Sequence, residues 1–260
     1  EALVGGIVGY LHNTAMSDCS NDGTTIKATG YITDGSSINA FVGGYIGQTG
    51  GNCSIKNCHN KIDILYEEAG QWVGGVCGFL SGLRVENCSN TGNISAPKSR
   101  CVGGILGELC GRGEPVMSEL TNSGDITGGN SVGGISGAFY DDWSVDSNGY
   151  YALRVSKLEN SGNVVASSDY AGGCIGYLYA NAYYNYRNPQ ICVTISGATS
   201  TGNVTGKTFV GGIVGYAHSD CVDSKITDCS ACGTVTAEAK VGGIAGQLNR
   251  IALLDCSNEG

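Results

Sequence analysis

The chain has 260 residues, 44 of them Gly and only 3 Pro, with 41% hydrophobic and 14% charged residues and a formal net charge of −9. So low a charge density on so apolar a sequence excludes a disordered polyelectrolyte, and an acidic chain without a basic stripe is a poor partner for nucleic acid or anionic membranes. No run of about 18 apolar residues occurs, so no membrane insertion is predicted for this segment.

From the N-terminus onward one pattern returns eight times: an apolar residue followed by Gly-Gly-x-x-Gly, starting at Gly5, Gly43, Gly74, Gly103, Gly133, Gly172, Gly211 and Gly242. The preceding residue is Val4, Val42, Val73, Val102, Val132, Ala171, Val210 or Val241, and the residue after Gly-Gly is most often Ile. Behind each copy follows apolar-x-x-Cys-x-Asn-x-Gly-x-apolar, cleanest from Val85 to Ile94. Its lead position holds Met16, Ile55, Val85, Met117, Val155, Ile195, Ile226 and Leu253. Three residues on come Cys19, Cys58, Cys88, Leu120, Leu158, Ala198, Cys229 and Cys256. A Gly follows in seven copies, with Ile62 the departure.

Apolar positions two or three apart, bounded by Gly and Asn, are too short for helices and match short strands ending in turns. Gly at a fixed place marks a fixed corner, through positive φ or close backbone approach. The starts lie 38, 31, 29, 30, 39, 39 and 31 residues apart, about the length of one three-sided coil of short strands. The expected fold is all-β: a parallel β-helix, or β-solenoid, of about eight Gly-rich coils forming one repeat domain over residues 1–260. At about 4.8 Å per coil the rod would be about 40 Å long. Both ends fall inside the pattern, which predicts a fragment of a longer chain.

Val210-Gly211-Gly212-Ile213-Val214-Gly215-Tyr216, then Ile226-x-x-Cys229 and Gly233-Thr234-Val235, resembles the GLUG motif family. That resemblance covers nearly the whole chain. It implies a large secreted or surface-attached bacterial protein, of the adhesin-like kind or of the kind that surrounds IgA-cleaving metallopeptidases, and it carries no catalytic residue over. The expectation is therefore a non-catalytic extracellular segment, a stalk or an adhesin-like binding module, whose partner is a host glycan or protein at the cell surface. No cofactor, no metal and no nucleic-acid partner are expected.

Thirteen cysteines in such a chain invite a disulfide reading. Five of them share one repeat position, however, and parallel in-register side chains do not meet with disulfide torsion, so buried reduced thiols are favoured there. Cys53 with Cys58, or Cys101 with Cys110, are the candidate cross-links. Cys229-Ser230-Ala231-Cys232 has the spacing of half a zinc site but no second half, and the three histidines, His12, His59 and His218, lie in different repeats. Gly-Gly-x-x-Gly lacks the Lys of a phosphate-binding loop, and no Asp recurs in phase as calcium solenoids require.

Specificity on a regular rod arises where loops leave it. Two stretches, 138–157 and 177–197, are about ten residues longer than their counterparts and rich in aromatics. The candidate ligand-binding residues are Tyr140, Trp143, Tyr150, Tyr151, Tyr179, Tyr183, Tyr184 and Tyr186, which offer apolar faces and polar tips to a sugar or protein; the alternative is that the two loops pack on each other. Parallel β-helices also host polysaccharide lyases and hydrolases, so Asp141, Asp142, Asp146, Arg154 and Arg187 form the one charged cluster that could serve catalysis. Two acids would have to face each other about 5 to 9 Å apart, which sequence neighbours on a loop rarely do.

Overall fold

The computed structural model describes residues 2–23, 25–28, 40–141, 150–180 and 190–260. No helix occurs among them, and their strands form three parallel sheets that wind as successive faces of one coil. The first sheet has eight strands, Ala2–Gly5, Ala40–Gly43, Trp72–Gly74, Cys101–Gly103, Ser131–Gly133, Ala171–Gly172, Thr208–Gly211 and Ala239–Gly242, in simple chain order. Their register aligns all eight Gly-Gly starts, Gly5 on Gly43 and so on to Gly211 on Gly242. Seven strands around Ile26, Ile64, Ile94, Ile126, Val164, Val204 and Val235 form the second sheet. The third is strongly curved and contains long bent strands such as Cys77–Asn90 and Leu106–Asn122, with a register shift at Gly82 to Arg84 where the chain turns between faces.

Apolar residues point inward from all three faces into two clusters. One holds the Met16-to-Ile226 lead positions and the Cys58, Cys88 and Cys229 ladder, continued by Leu120, Leu158 and Ala198. The other lies between the Val-Gly strands and the second sheet. Each coil alone buries too little to fold, so stability is shared between neighbours.

The Gly-Gly corner is a close approach rather than a left-handed turn. A Cβ on Gly75 would meet the Gly104 carbonyl and the Asn90 amide, and the same holds at Gly104 against Gly134 and Asn122. One column of left-handed residues runs along the position before the Cys: Asp18, Asn57, Asn87, Glu119, Lys157, Asp228 and Asp255, with Gly197 filling it in the sixth coil. Asn and Asp tolerate that region best and occupy five of the eight places.

The Asn of the second motif turns inward. Asn60, Asn90, Asn122 and Asn160 are buried, and each Nδ2 donates to the next coil: Asn60 to Asn90 at 2.6 Å, Asn90 to Asn122 at 2.7 Å and Asn122 to Asn160 at 2.8 Å. The other amide hydrogen closes onto the carbonyl two residues on, as from Asn90 to Gly92 at 2.8 Å. The run starts at Asn21 and continues to Ser200. Outside, a second ladder caps backbone N–H groups: Asn93 N donates to Asp63, Asp125 N to Asn93, Asn203 N to Asn163 and Thr234 N to Asn203.

Cysteines at the repeat position are free thiols, each donating to the carbonyl two residues earlier, as from Cys88 to Glu86 at 3.3 Å. The two candidate cross-links are corrected: Cys53, Cys58, Cys101 and Cys110 form no disulfide. A disulfide forms instead between Cys192 and Cys221, which lie on adjacent coils with Cα atoms 5.1 Å apart. Within the CxxC, Cys229 is buried while Cys232 is exposed. Burial pushes the Cys77, Cys101 and Cys174 thiols well above their ordinary range, and a thiol kept protonated is unreactive. Native protein treated with iodoacetamide is expected to be alkylated at Cys232, with Cys77, Cys101 and Cys174 labelled only after unfolding; peptide mass mapping checks this.

Candidate functional site: an aromatic face along the rod

Outward positions flanking the Gly-Gly corner carry rings in register. The residue two before the first Gly is Phe41, Trp72, Tyr170 and Phe209 in the second, third, sixth and seventh coils, and the residue after Gly-x-x-Gly is Phe79, Tyr177 and Tyr216 in three of them. Since neighbouring coils are one strand spacing apart, equivalent rings fall into stacking distance. Phe41 stacks on Trp72 at 4.5 Å between centroids, with Phe79 edge-on to both. Farther along, Tyr177 stacks on Tyr216 at 5.3 Å and Tyr170 on Phe209 at 5.0 Å, and the two pairs touch edge to face. Lys240 closes this end with its ammonium 4.3 Å from the Phe209 centroid.

Tyr170, Phe209 and Lys240 have φ of 59°, 56° and 53°. For bulky residues that conformation costs on the order of 1–3 kcal/mol. The cross-coil stacks offset it, each contributing about 0.5–1.5 kcal/mol beyond area burial.

Tyr140 and Tyr179, two of the candidate residues, lie in register and stack at 5.7 Å, and Tyr179 stacks in turn on His218 at 4.9 Å. Tyr150 and Tyr151 begin the strand Tyr150–Asn160, paired with Gln190 and Ile191, so the bases of the two long stretches are adjacent. The side chains of Tyr150 and Tyr151, and Trp143, Tyr183, Tyr184 and Tyr186 altogether, lie outside the described residues. So do Asp142, Asp146, Arg187 and the Asp141 side chain of the charged cluster. Phe41, Trp72, Phe79, Tyr170, Phe209 and Tyr216 were not singled out from sequence, although their recurrence beside four of the eight Gly motifs is a readable signal.

Between the two ring clusters sits Glu108. Its Oε2 accepts from Trp72 Nε1 at 2.6 Å and from the Cys101 thiol at 3.5 Å. Burial pushes this carboxyl above its ordinary range, and the Trp72 and Cys101 bonds and the Arg100 charge only partly oppose the rise. In the unfolded chain the group ionises first as pH rises, so native stability should decline from about pH 4.5 upward and level off once the folded carboxyl has ionised. Urea midpoints measured from pH 4 to 7 are expected to show this fall, and Glu108→Gln, which keeps an acceptor for Trp72, to remove it.

Eight stacked coils without a helix among the described residues, Gly-cornered and faced with rings, define a parallel β-solenoid repeat protein. The GLUG motif is present in the chain, with its family model matching residues 1–27, 70–95 and 210–236. The chain is also similar to Halomucin of Haloquadratum walsbyi, at 30% identity over 196 residues, which is 71% of this chain and 2% of that protein. The chain thus spans a small fraction of that relative's length. No solved structure shows a significant match. No described helix is long and apolar enough to cross a membrane.

Proposed function

We propose that this chain is a non-catalytic segment of a secreted or cell-surface bacterial protein, working as a rigid stalk and as an adhesin-like module for a host or glycan ligand. The observation that carries the reading is the aromatic face: stacked rings line one side of the rod on five of its eight coils, the second, third, fifth, sixth and seventh. Stacked Tyr side chains, each with an apolar face and a polar tip, suit recognition of groups that are part apolar and part polar. The GLUG motif and the similarity to a protein named Halomucin are in keeping with an extracellular setting.

The test is capture of the folded chain on an array of glycans and mucosal proteins, beside a Tyr179→Ala/Tyr216→Ala variant. Specific capture lost in the variant supports the module. No capture by either form would leave a spacer. Incubation with uronate-containing and neutral polysaccharides is expected to yield no elimination or hydrolysis products; turnover would instead favour a lyase or hydrolase.

A further inference from the structure

The two ring columns flanking the Gly-Gly corner are interrupted at the fourth and fifth coils. They run Phe79, Glu108, Ala138, Tyr177, Tyr216 on one side and Phe41, Trp72, Cys101, Ser131 on the other, the latter continuing to Tyr170 and Phe209. At the fifth coil both columns drop together to small side chains, Ala138 and Ser131. A recess of about 230 Å³ opens above them. Tyr170 and Tyr177 form one wall with the sides turned away from Phe209 and Tyr216, and Arg100 and Glu108 form the wall opposite. Skipping one coil leaves two strand spacings, about 9.6 Å, between the Tyr177 and Glu108 positions. One flat ring fits midway, at the spacing the native rings already keep.

We propose that this recess binds one neutral pyranose unit of a glycan, whose ring occupies the fifth-coil step of the ladder, between Tyr177 and Glu108. The inference rests on the binding-module reading above and names its ligand class. A sugar ring has an apolar C–H face for Tyr170 and Tyr177 and hydroxyls for the opposite wall, where Arg100 only donates, Glu108 accepts and Ser131 does both. An acidic sugar would meet the Glu108 carboxylate and a cationic one the Arg100 guanidinium. A purely apolar ring would desolvate both groups and satisfy neither, which is costly. Arg100 makes no ion pair among the described residues, so its donors are available.

Saturation-transfer NMR with the methyl glycosides of glucose, galactose and mannose tests this on the intact chain, on Ala138→Tyr and on Arg100→Ala. Ala138→Tyr plugs the recess with a ring in the ladder's own register. Saturation transfer from the wild type to at least one glycoside is expected, abolished in Ala138→Tyr and weakened about tenfold in Arg100→Ala, the equivalent of one charged hydrogen-bonding partner. Should Ala138→Tyr fail to fold, Arg100→Ala decides, because its exposed side chain leaves the fold intact. Absence of transfer from the wild type, or transfer undiminished in both variants, overturns the site; so does preferential binding of p-cresol, which would assign the recess to an aromatic side chain of a protein partner. Array capture that persists in Ala138→Tyr while glycosides fail to bind would sink the recess and leave the module standing. Failure of both removes the module as well.

Discussion

Asn90→Ala is expected to destabilise this chain by about 3–5 kcal/mol, near the upper end for any single substitution. Asn90 accepts from Asn60, donates to Asn122 and donates to the Gly92 carbonyl, all in the buried core. Truncation leaves an Asn60 hydrogen, the Asn122 oxygen and the Gly92 carbonyl without partners, at about 1–3 kcal/mol each, partly relieved by local adjustment. Asn90→Asp is the sharper variant, because a carboxylate keeps the acceptor and loses both donors while bringing a charge into the core. Urea denaturation should show a lower midpoint for both, lower for Asp than for Ala at neutral pH. A shift below about 1 kcal/mol in either would mean that the ladder is incidental to stability.

Gly104→Ala is expected to prevent folding altogether. Its Cβ would overlap the Gly134 carbonyl of the next coil and lie 2.6 Å from the Asn122 side chain. Neither neighbour can retreat: Gly134 sits in the same corner column, and Asn122 is fixed by its hydrogen bonds to Asn160 and Gly124. The clash propagates along the stack, since every coil meets the next in the same way. Gly197→Ala provides the contrast, because nothing lies closer to its Cβ than Lys157 N at 4.0 Å but its φ is 63°. That substitution should cost only about 1 kcal/mol of left-handed strain. Circular dichroism and limited proteolysis of the two proteins separate steric from conformational demand for Gly.

The inward half of this architecture was legible in the sequence, because inward positions repeat. Val42, Ile55, Cys58 and Gly43 each recur in phase, and the structure aligns every copy, including the first coil, where Ile26 pairs with Ile64 despite one extra residue. The left-handed column was less visible because its chemistry is mixed: Glu119 and Lys157 share a backbone shape with Asn57 and Asp228. For those two an exposed ion pair, Lys157 Nζ to Glu119 at 2.8 Å, joins the coils where the Asn ladder of Asn87 to Asn57 ends.

The ring face escaped for a different reason. Tyr140 and Tyr179 fall in the long stretches, but Phe41 and Trp72, and likewise Tyr170 and Phe209, stand about 30–40 residues apart and meet only through stacking. The disulfide was hidden likewise, as Cys192 and Cys221 occupy no repeat position, and only the winding of the chain brings them together.

That disulfide has a mechanical consequence. In a solenoid pulled at its ends, each coil of about 30 residues peels off in turn, exchanging about 5 Å of rod for about 100 Å of extended chain. Cys192 and Cys221 are 29 residues apart, close to one full turn. Their link withholds about one coil's worth of slack, placing a fixed stop between the sixth and seventh coils. Under load in an oxidising setting the chain should therefore extend in one step fewer than its reduced form, and the half that bears Phe209, Tyr216 and Lys240 stays tied to the half that bears Tyr170 and Tyr177.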